Sequence, residues 1–276
     1  MIITDYNKLK GLFFTYILCG MVVACTPKEK VADDAVVSTI DAYGNPAAAG
    51  FDTINSHPKA IAVADQVMES MGGRAAWDQT RYLAWDFFGA RKLIWDKQDG
   101  RVRIDFPDSS VYLVNVNDLS GKVLHQGEAI TQADSLAKYI ERAKNIWIND
   151  SYWLVMPFKL KDSGVTLKYL EIEETLDGTM SHVLELTFRA VGVTPQNKYL
   201  VYVDTSNNLV NQWAYYRESD QDSANFILPW GNYQDFGSIL LSDDRGERDL
   251  SELAVFETLP DEVFTSFEPV NLENDH

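Results

Sequence analysis

Cysteine is nearly absent from this chain. Two occur in 276 residues, Cys19 and Cys25, both close to the N-terminus, so no disulfide can staple the body of the fold. Histidine is equally sparse. His57, His125, His182 and His276 stand far apart with no H-x-x-x-H or C-x-x-C spacing, and no metal site is expected from them. Basic residues are in deficit, 24 against 41 acidic ones, for a net charge of −17. That balance argues against nucleic acid as a partner, whose phosphates demand basic patches. It also argues against docking of the folded part on anionic lipid heads. Beyond residue 24 no apolar run approaches the roughly 20 residues that a bilayer crossing requires. Neither G-x-S-x-G nor G-x-x-x-x-G-K occurs, so a nucleophile elbow and a phosphate cradle both want for a motif.

What is present begins at the N-terminus. Lys8 and Lys10 precede "LFFTYILCGMVV", residues 12 to 23, an apolar stretch of export-signal length, roughly 7 to 15 residues. Val22-Val23-Ala24-Cys25 then resembles the lipobox of bacterial lipoproteins, two aliphatics and a small residue before a cysteine. The resemblance implies cleavage before Cys25, diacylglycerol on its thiol and acylation of the new amino group. An ordinary cleaved signal with an incidental cysteine is the plainer alternative. Cys19 follows Leu18, where a small residue is wanted. Each buried methylene contributes about 0.8 kcal/mol, so several acyl chains hold a protein firmly where one does not. Thr26 rather than Asp follows the cysteine, which by resemblance to lipoprotein sorting rules implies the outer membrane, facing the periplasm. The covalent lipid on Cys25 is the only non-protein group expected.

The expected organisation is a signal over residues 1–24, a flexible tether over 25–50 that is rich in Ala, charge and small residues, one domain over 51–270, and a tail over 271–276. Ile61, Ala64, Val67, Met68 and Met71 form one apolar stripe, which predicts a helix from Pro58 to Met71 with Ser56 as cap and Gly72-Gly73 as stop. From Arg81 the period changes to two. Leu83, Trp85 and Phe87 share a face, as do Leu93 and Trp95, then Val102, Ile104 and Phe106; "SSVYLVNVN" and "GKVLHQGEAI" continue an antiparallel meander. A second helix is expected from Gln132 to Asn149, started by Thr131 and Asp134. "SYWLVMPFKL" is expected to break it and to form a lip or lid. Strands resume over 165–172, 182–191, 198–204, 208–217, 224–230, 238–242 and 253–257.

This order gives an α+β class: a curled antiparallel sheet, a half-open barrel of ten or more strands, wrapped around two main helices. Lipobox, tether, helix, meander, helix and second meander together resemble the lipoprotein-carrier (Lol-type) fold of Gram-negative bacteria, over about residues 57–260. "KYLVYVDTSNNLVNQWAYY" is similar to a late hairpin of that family. "NDSYWLVMPFKLKDSGV" and "MESMGGRAAWD" resemble an uncharacterised group of bacterial lipoproteins given the same fold. The resemblance implies helices around a hydrophobic cavity that takes acyl chains. Soluble carriers of that family are not themselves lipidated, which turns the expectation here towards a tethered binder.

Three groups of residues could carry chemistry. Asp86, Asp96 and Asp105 lie on successive strands, the minimum for a carboxylate hydrolase. Each is out of phase with its strand's apolar set, which predicts a solvent-facing position. "SDDRGERD", residues 242–249, is acidic but without the spacing of a calcium loop, and reads as a solvated turn. The aromatics, 12% of the chain with seven Trp, have two readings. They fill the core of a curled sheet, or Trp85, Phe87, Trp95, Phe106, Trp153, Met156, Phe158 and Trp213 line an apolar cavity or its lid. The function expected is therefore non-enzymatic binding of an acyl chain, lipid or lipoprotein. An envelope-assembly scaffold is the alternative, and a carboxylate hydrolase a third. Labelling cells with a radioactive fatty acid checks the anchor: label is expected to vanish in Cys25→Ala and to persist in Cys19→Ala.

Overall fold

The computed structural model describes residues 44–189 and 191–272. Cys19, Cys25, the expected signal, most of the expected tether and His276 lie outside them. Helix α1 (Pro58–Ser70) buries the stripe Ile61, Ala64, Val67 and Met68. His57, not Ser56, caps it by accepting the Lys59 N–H at 3.3 Å, while the Ser56 hydroxyl accepts the Leu167 N–H. Helix α2 (Gly73–Gln79) follows at once. Gly72 between them has φ +108°, and a Cβ there would sit 2.1 Å from the Ser238 carbonyl, so the turn demands glycine.

Five strands then run as a meander: β1 (Tyr82–Phe87), β2 (Lys92–Asp96), β3 (Arg101–Asp105), β4 (Val111–Asn115) and β5 (Ser120–His125), with the short β6 (Glu128–Ala129) after them. Helix α3 (Ala133–Val155) starts at Gln132, whose Oε1 accepts the Ser135 N–H, rather than at Thr131. It does not stop at Asn149. The apolar stripe Ile140, Ala143, Trp147 continues through Leu154 and Val155, and only Pro157 ends it, tightening Met156–Lys159 into a 3-10 turn.

The later strands are β7 (Val165–Glu174), β8 (Met180–Phe188), β9 (Lys198–Asp204), β10 (Val210–Tyr216), β11 (Phe226–Pro229), β12 (Gly231–Phe236), β13 (Ile239–Asp244) and β14 (Leu250–Phe256), with a last helical turn α4 (Glu262–Thr265). The first sheet has the order β14-β1-β2-β3-β4-β5-β6 and the second β11-β10-β9-β8-β7. The β12–β13 hairpin bridges them, β13 against β14 and β12 against β10. Every pairing is antiparallel, and the wall stays unclosed at β6 and β7. Helix α3 lies across β4, β5 and β13, and α1 lies against β7. The architecture is the expected half-open α+β barrel around two main helices.

At the N-terminal end, packed residues precede the expected start at 51. Asn45 is buried and donates to Asp65, and Lys161 reaches both Asp65 and the Asn45 carbonyl, so the folded unit starts before residue 51. At the other end, Val263 and Phe264 pack on Tyr82, Ala84 and Ile94, with Val270 and Leu272 beside them. This C-terminal strap covers the outer face of β1 to β4. That face is largely closed to solvent, which corrects the expectation for Asp86 and Asp96, whereas Asp105 keeps 31% of its side chain exposed.

Asp96 is fully buried, gripped by Arg81 (3.1 Å) and Arg101 (2.8 Å). Asp86 is 8% exposed and accepts the Gly89 N–H, and Asp105 pairs with Arg103 at 2.7 Å. Arg103 is 1% exposed and donates to the strap carbonyls of Val263 (3.1 Å), Ser266 (2.8 Å) and Glu268 (2.9 Å). Alternation gave the correct face for these residues, but distant sequence covers that face and satisfies the charges on it.

Two outcomes follow from the strap. Arg103→Met leaves three strap carbonyls, the buried one of Val263 among them, without this donor and is expected to cost about 2 kcal/mol, read as a lower midpoint in urea unfolding. In a chain ending at residue 258 the same substitution should cost far less, because the carbonyls it serves are gone. Burial pushes the Asp96 carboxyl up, but hydrogen bonds from Arg81, Arg101 and the Asp99 N–H outweigh it and hold it below its ordinary value. Its ion pairs therefore stabilise the fold above about pH 4 and are lost as the pH falls further. Asp96→Asn is expected to lower stability at pH 7 and to flatten the acid limb of a stability profile measured from pH 7 to 2.

Candidate functional site

The eight sequence-chosen side chains fall into separate places. Trp85 and Met156 are fully buried in the main core. Trp95 lies 5.2 Å from Trp147 and 6.5 Å from Trp77, on which Phe158 stacks at 4.3 Å. Phe106 lies beside Tyr112, 4.8 Å away, at another part of the main core. Only Phe87, Trp153 and Trp213 come together, Trp153 standing 6.2 Å from the first and 4.7 Å from the second. All eight have ring contacts or deep burial, as core side chains do. "SYWLVMPFKL" is not a lid: Leu154, Val155, Met156, Pro157 and Phe158 are all buried, because the helix carries them into the concavity before Pro157 turns the chain.

Around Phe87, Trp153 and Trp213 the second sheet adds a nest of rings that the sequence reading did not assemble. Tyr199 stacks on Trp213 at 5.4 Å with an interplanar angle of 4°. Tyr215 lies directly across from Tyr199 on β9 and from Phe226 on β11, so these rings share the inner face with Trp213. Phe226 reaches Trp153 at 5.6 Å, Tyr152 reaches Tyr199 at 5.4 Å, and Trp230 reaches Trp213 at 5.3 Å. Phe88 closes the nest from the β1–β2 turn, edge-on to Trp153 at 5.2 Å. Tyr152, Trp153, Tyr199, Tyr215, Phe226 and Phe88 are only half-buried, so the nest opens to solvent. The signal was there in "YLVYV" and "NQWAYY", apolar on both faces; what was missing was the strand register.

The nest is short of hydrogen-bond partners. Among the described residues Tyr152 Oη, Trp213 Nε1 and Trp230 Nε1 are buried without one, although they are linked ring to ring through Tyr199. A buried donor left unpaired costs about 1–3 kcal/mol, and native interiors hold few of them. Burial pushes the Tyr199 phenol up to about 12 and the Tyr152 phenol well above its ordinary value, so both stay neutral hydroxyls.

The helix that carries Trp153 and Tyr152 is tied down by two buried arginine contacts. Asp150 is fully buried and takes Arg91 in a two-pronged bond at 2.6 and 2.7 Å; burial raises its carboxyl despite that partner. Arg245, the centre of the acidic stretch 242–249, is buried completely rather than solvated. Its guanidinium lies 3.5 Å over the Trp230 ring and donates to the carbonyls of Trp153, Ser242 and Asp244 and to the Ser242 hydroxyl. Burial pulls its pKa down to about 9.

The histidines do not converge. His57 caps α1, His182 bonds Tyr169 at 3.0 Å, and His125 lies 3.1 Å from the Ser110 hydroxyl. Among the described residues no group of three or more His, Cys, Asp or Glu could hold a metal ion, and no helix is long and apolar enough to cross a membrane.

No family model and no curated protein matches the chain. Among solved structures it is similar to a DUF1329 family protein from Desulfovibrio piger, with 15% identity over 74% of this chain and 96% of that one and a TM-score of 0.39. It is also similar to an outer membrane lipoprotein-sorting protein domain from Vibrio parahaemolyticus, with 10% identity, coverages of 73% and 97% and a TM-score of 0.35. A LolA superfamily protein from Nitrosomonas europaea has 13% identity, coverages of 75% and 97% and a TM-score of 0.33. The structure neighbours are thus DUF1329 and LolA-superfamily proteins, the group that the sequence resemblance indicated. At these scores the likeness carries no functional weight, and the half-open barrel rests on the strand order itself.

Proposed function

We propose that the chain is a non-enzymatic, lipid-anchored protein of the bacterial envelope that binds an apolar ligand, an acyl chain, a lipid or the acylated end of a lipoprotein, at the aromatic nest. The observation that carries the reading is the line of unpartnered polar atoms, Tyr152 Oη, Trp213 Nε1 and Trp230 Nε1, in a nest of rings that reaches the surface. Indole N–H groups only donate. A guest that suits them has an alkyl chain for the rings and, along that chain, acceptor oxygens for the donors, as an ester linkage supplies. Its burial contributes about 25 cal/mol per Å² of apolar area, with no covalent step. The anchor at Cys25 and the periplasm-facing outer-membrane location rest on the lipobox resemblance.

One observation favours the assembly-scaffold reading. Leu170, Ile172, Leu176 and Met180 at the β7–β8 hairpin are 43%, 44%, 78% and 50% exposed, a contiguous apolar tip of the kind that docks a protein.

Native mass spectrometry of the full chain separates the two. A lipid-sized adduct that leaves on denaturation is expected, whereas lipid bound covalently to Cys25 stays. Trp153→Ser with Tyr199→Ala should lose the adduct, and Ile172→Ser with Leu176→Ser should keep it. A preparation with no adduct that also fails to bind an added fluorescent acyl probe would sink the binding reading.

A further inference from the structure

Resting on that reading, we propose that the ligand is an anionic amphiphile, whose carboxylate or phosphate head lies in the groove on the outer flank of α3 while its chain enters the nest past Phe87 and Phe88. The groove is an open hollow of ≈ 460 Å³ bordered by Arg91, Lys138, Glu141, Arg142, Asn145 and Asn149, with Ile146 also lining it. Lys138 and Arg142 face one acid, Glu141, while the charge of Arg91 is paired with Asp150, in a chain whose acids outnumber its bases 41 to 24. Lys138, Arg142, Asn145 and Asn149 recur at spacings of four, three and four, a donor-rich stripe opposite the buried stripe of the same helix.

Arg91 joins groove and nest. Its Nε and Nη2 are held by buried Asp150, and its Nη1 donates no hydrogen bond among the described residues. The same guanidinium sits 4.8 Å from the centre of the Phe87 ring. From Phe87 the rings continue without a gap to Phe88 at 4.0 Å, and from there to Trp153, Trp213 and Phe226. A head bound beside Arg91 therefore has its chain at the open side of the nest. Phe88 marks the junction by its backbone, with φ +59°. A bulky residue in that region is strained, and such strain concentrates at ligand clamps. Glycine would relieve it, and Gly89 stands one position away.

The overall charge of −17 disfavours an anionic bilayer surface, while a few local cations suffice for one acidic head. The groove thus suits a single extracted molecule rather than a membrane.

The test is competition against a fluorescent twelve-carbon acid, with the purified full chain in a neutral sugar-headed detergent. Dodecanoate and dodecyl phosphate are expected to bind about tenfold tighter than dodecanol, the size of effect two or three exposed charge contacts give, and dodecyltrimethylammonium weakest. In Lys138→Gln with Arg142→Gln the ratio should fall to within about twofold, with dodecanol binding unchanged, and added salt should lower it in the wild type. Equal affinity for the acids and dodecanol in the wild type, or a ratio untouched by the double variant, overturns the head-group assignment and leaves apolar binding standing. Inorganic phosphate displacing the probe as well as dodecyl phosphate does overturns it in favour of a small-anion site. Failure of every amphiphile, dodecanol included, removes the apolar-binding reading as well.

Discussion

The carbonyl of Trp153, one of the last in helix α3, accepts two hydrogen bonds from a guanidinium that pairs with no carboxylate among the described residues. Helix ends leave four such carbonyls open, and their partial negative charge attracts a cation. Arg245 meets that demand from the β13–β14 turn, 92 residues away in sequence, and spends its remaining donors on Ser242 and Asp244. The contact fixes how far α3 reaches into the concavity. Everything later in the chain is set against that depth: Met156 and Phe158 plug the core, Trp153 meets β10, and Tyr152 meets β9. Asp150 and Arg91, from the β1–β2 turn, hold the same helix one turn earlier. A helix pinned at two points by arginines from neighbouring turns cannot rise or sink without breaking buried polar contacts, which cost more to leave open than they contribute when made.

The walls themselves are covered on both faces along β1, where all six residues are buried. Inside lie Leu83, Trp85 and Phe87; outside lie Tyr82 and Ala84 under the strap, with buried Asp96, Arg101 and Arg103 as the polar layer between. A hydrophobic cover alone would slide. The arginine-to-carbonyl contacts of Arg103 give it one register.

Much of this was legible in sequence, and the failures have a common origin. Period-two runs gave β1 to β5 with their inner faces, and the stripe from Ile61 to Met68 gave α1, because local alternation reports a face directly. The end of α3 was misplaced because Ser151 to Leu160 is apolar all round, and a helix that is buried on every side shows no stripe. The aspartates were put in solvent because alternation says which face a residue is on and nothing about what covers that face. Arg245 looked solvated for the same reason. β12 was missed altogether; "GNYQDF" is largely polar, and its pairing with β13 is visible only once the turn at Gly237 is folded. Of the eight side chains chosen for a cavity or lid, Phe87, Trp153 and Trp213 adjoin one another, whereas Tyr199, Tyr215 and Phe226 needed the register of three strands.

That register also explains why the nest differs from an ordinary aromatic core. A core under selection for stability alone would favour Leu or Phe at these positions, since rings with polar tips need partners that a dry interior rarely supplies. Here Tyr152, Trp213 and Trp230 place three such tips within one chain of ring contacts, and the neighbouring strand pair leaves Tyr199, Tyr215 and Phe226 half-open to solvent. Arg103 and Arg245 are satisfied over long sequence distances, whereas the indole N–H groups of Trp85 and Trp147 are also buried without a partner. What sets the nest apart is that its three idle polar tips are joined ring to ring beside half-open aromatic side chains. These tips lie close to the strained Phe88 and to the half-open rings of β9, β10 and β11, where a ligand bringing acceptor oxygens on an alkyl chain would complete both the packing and the hydrogen bonds.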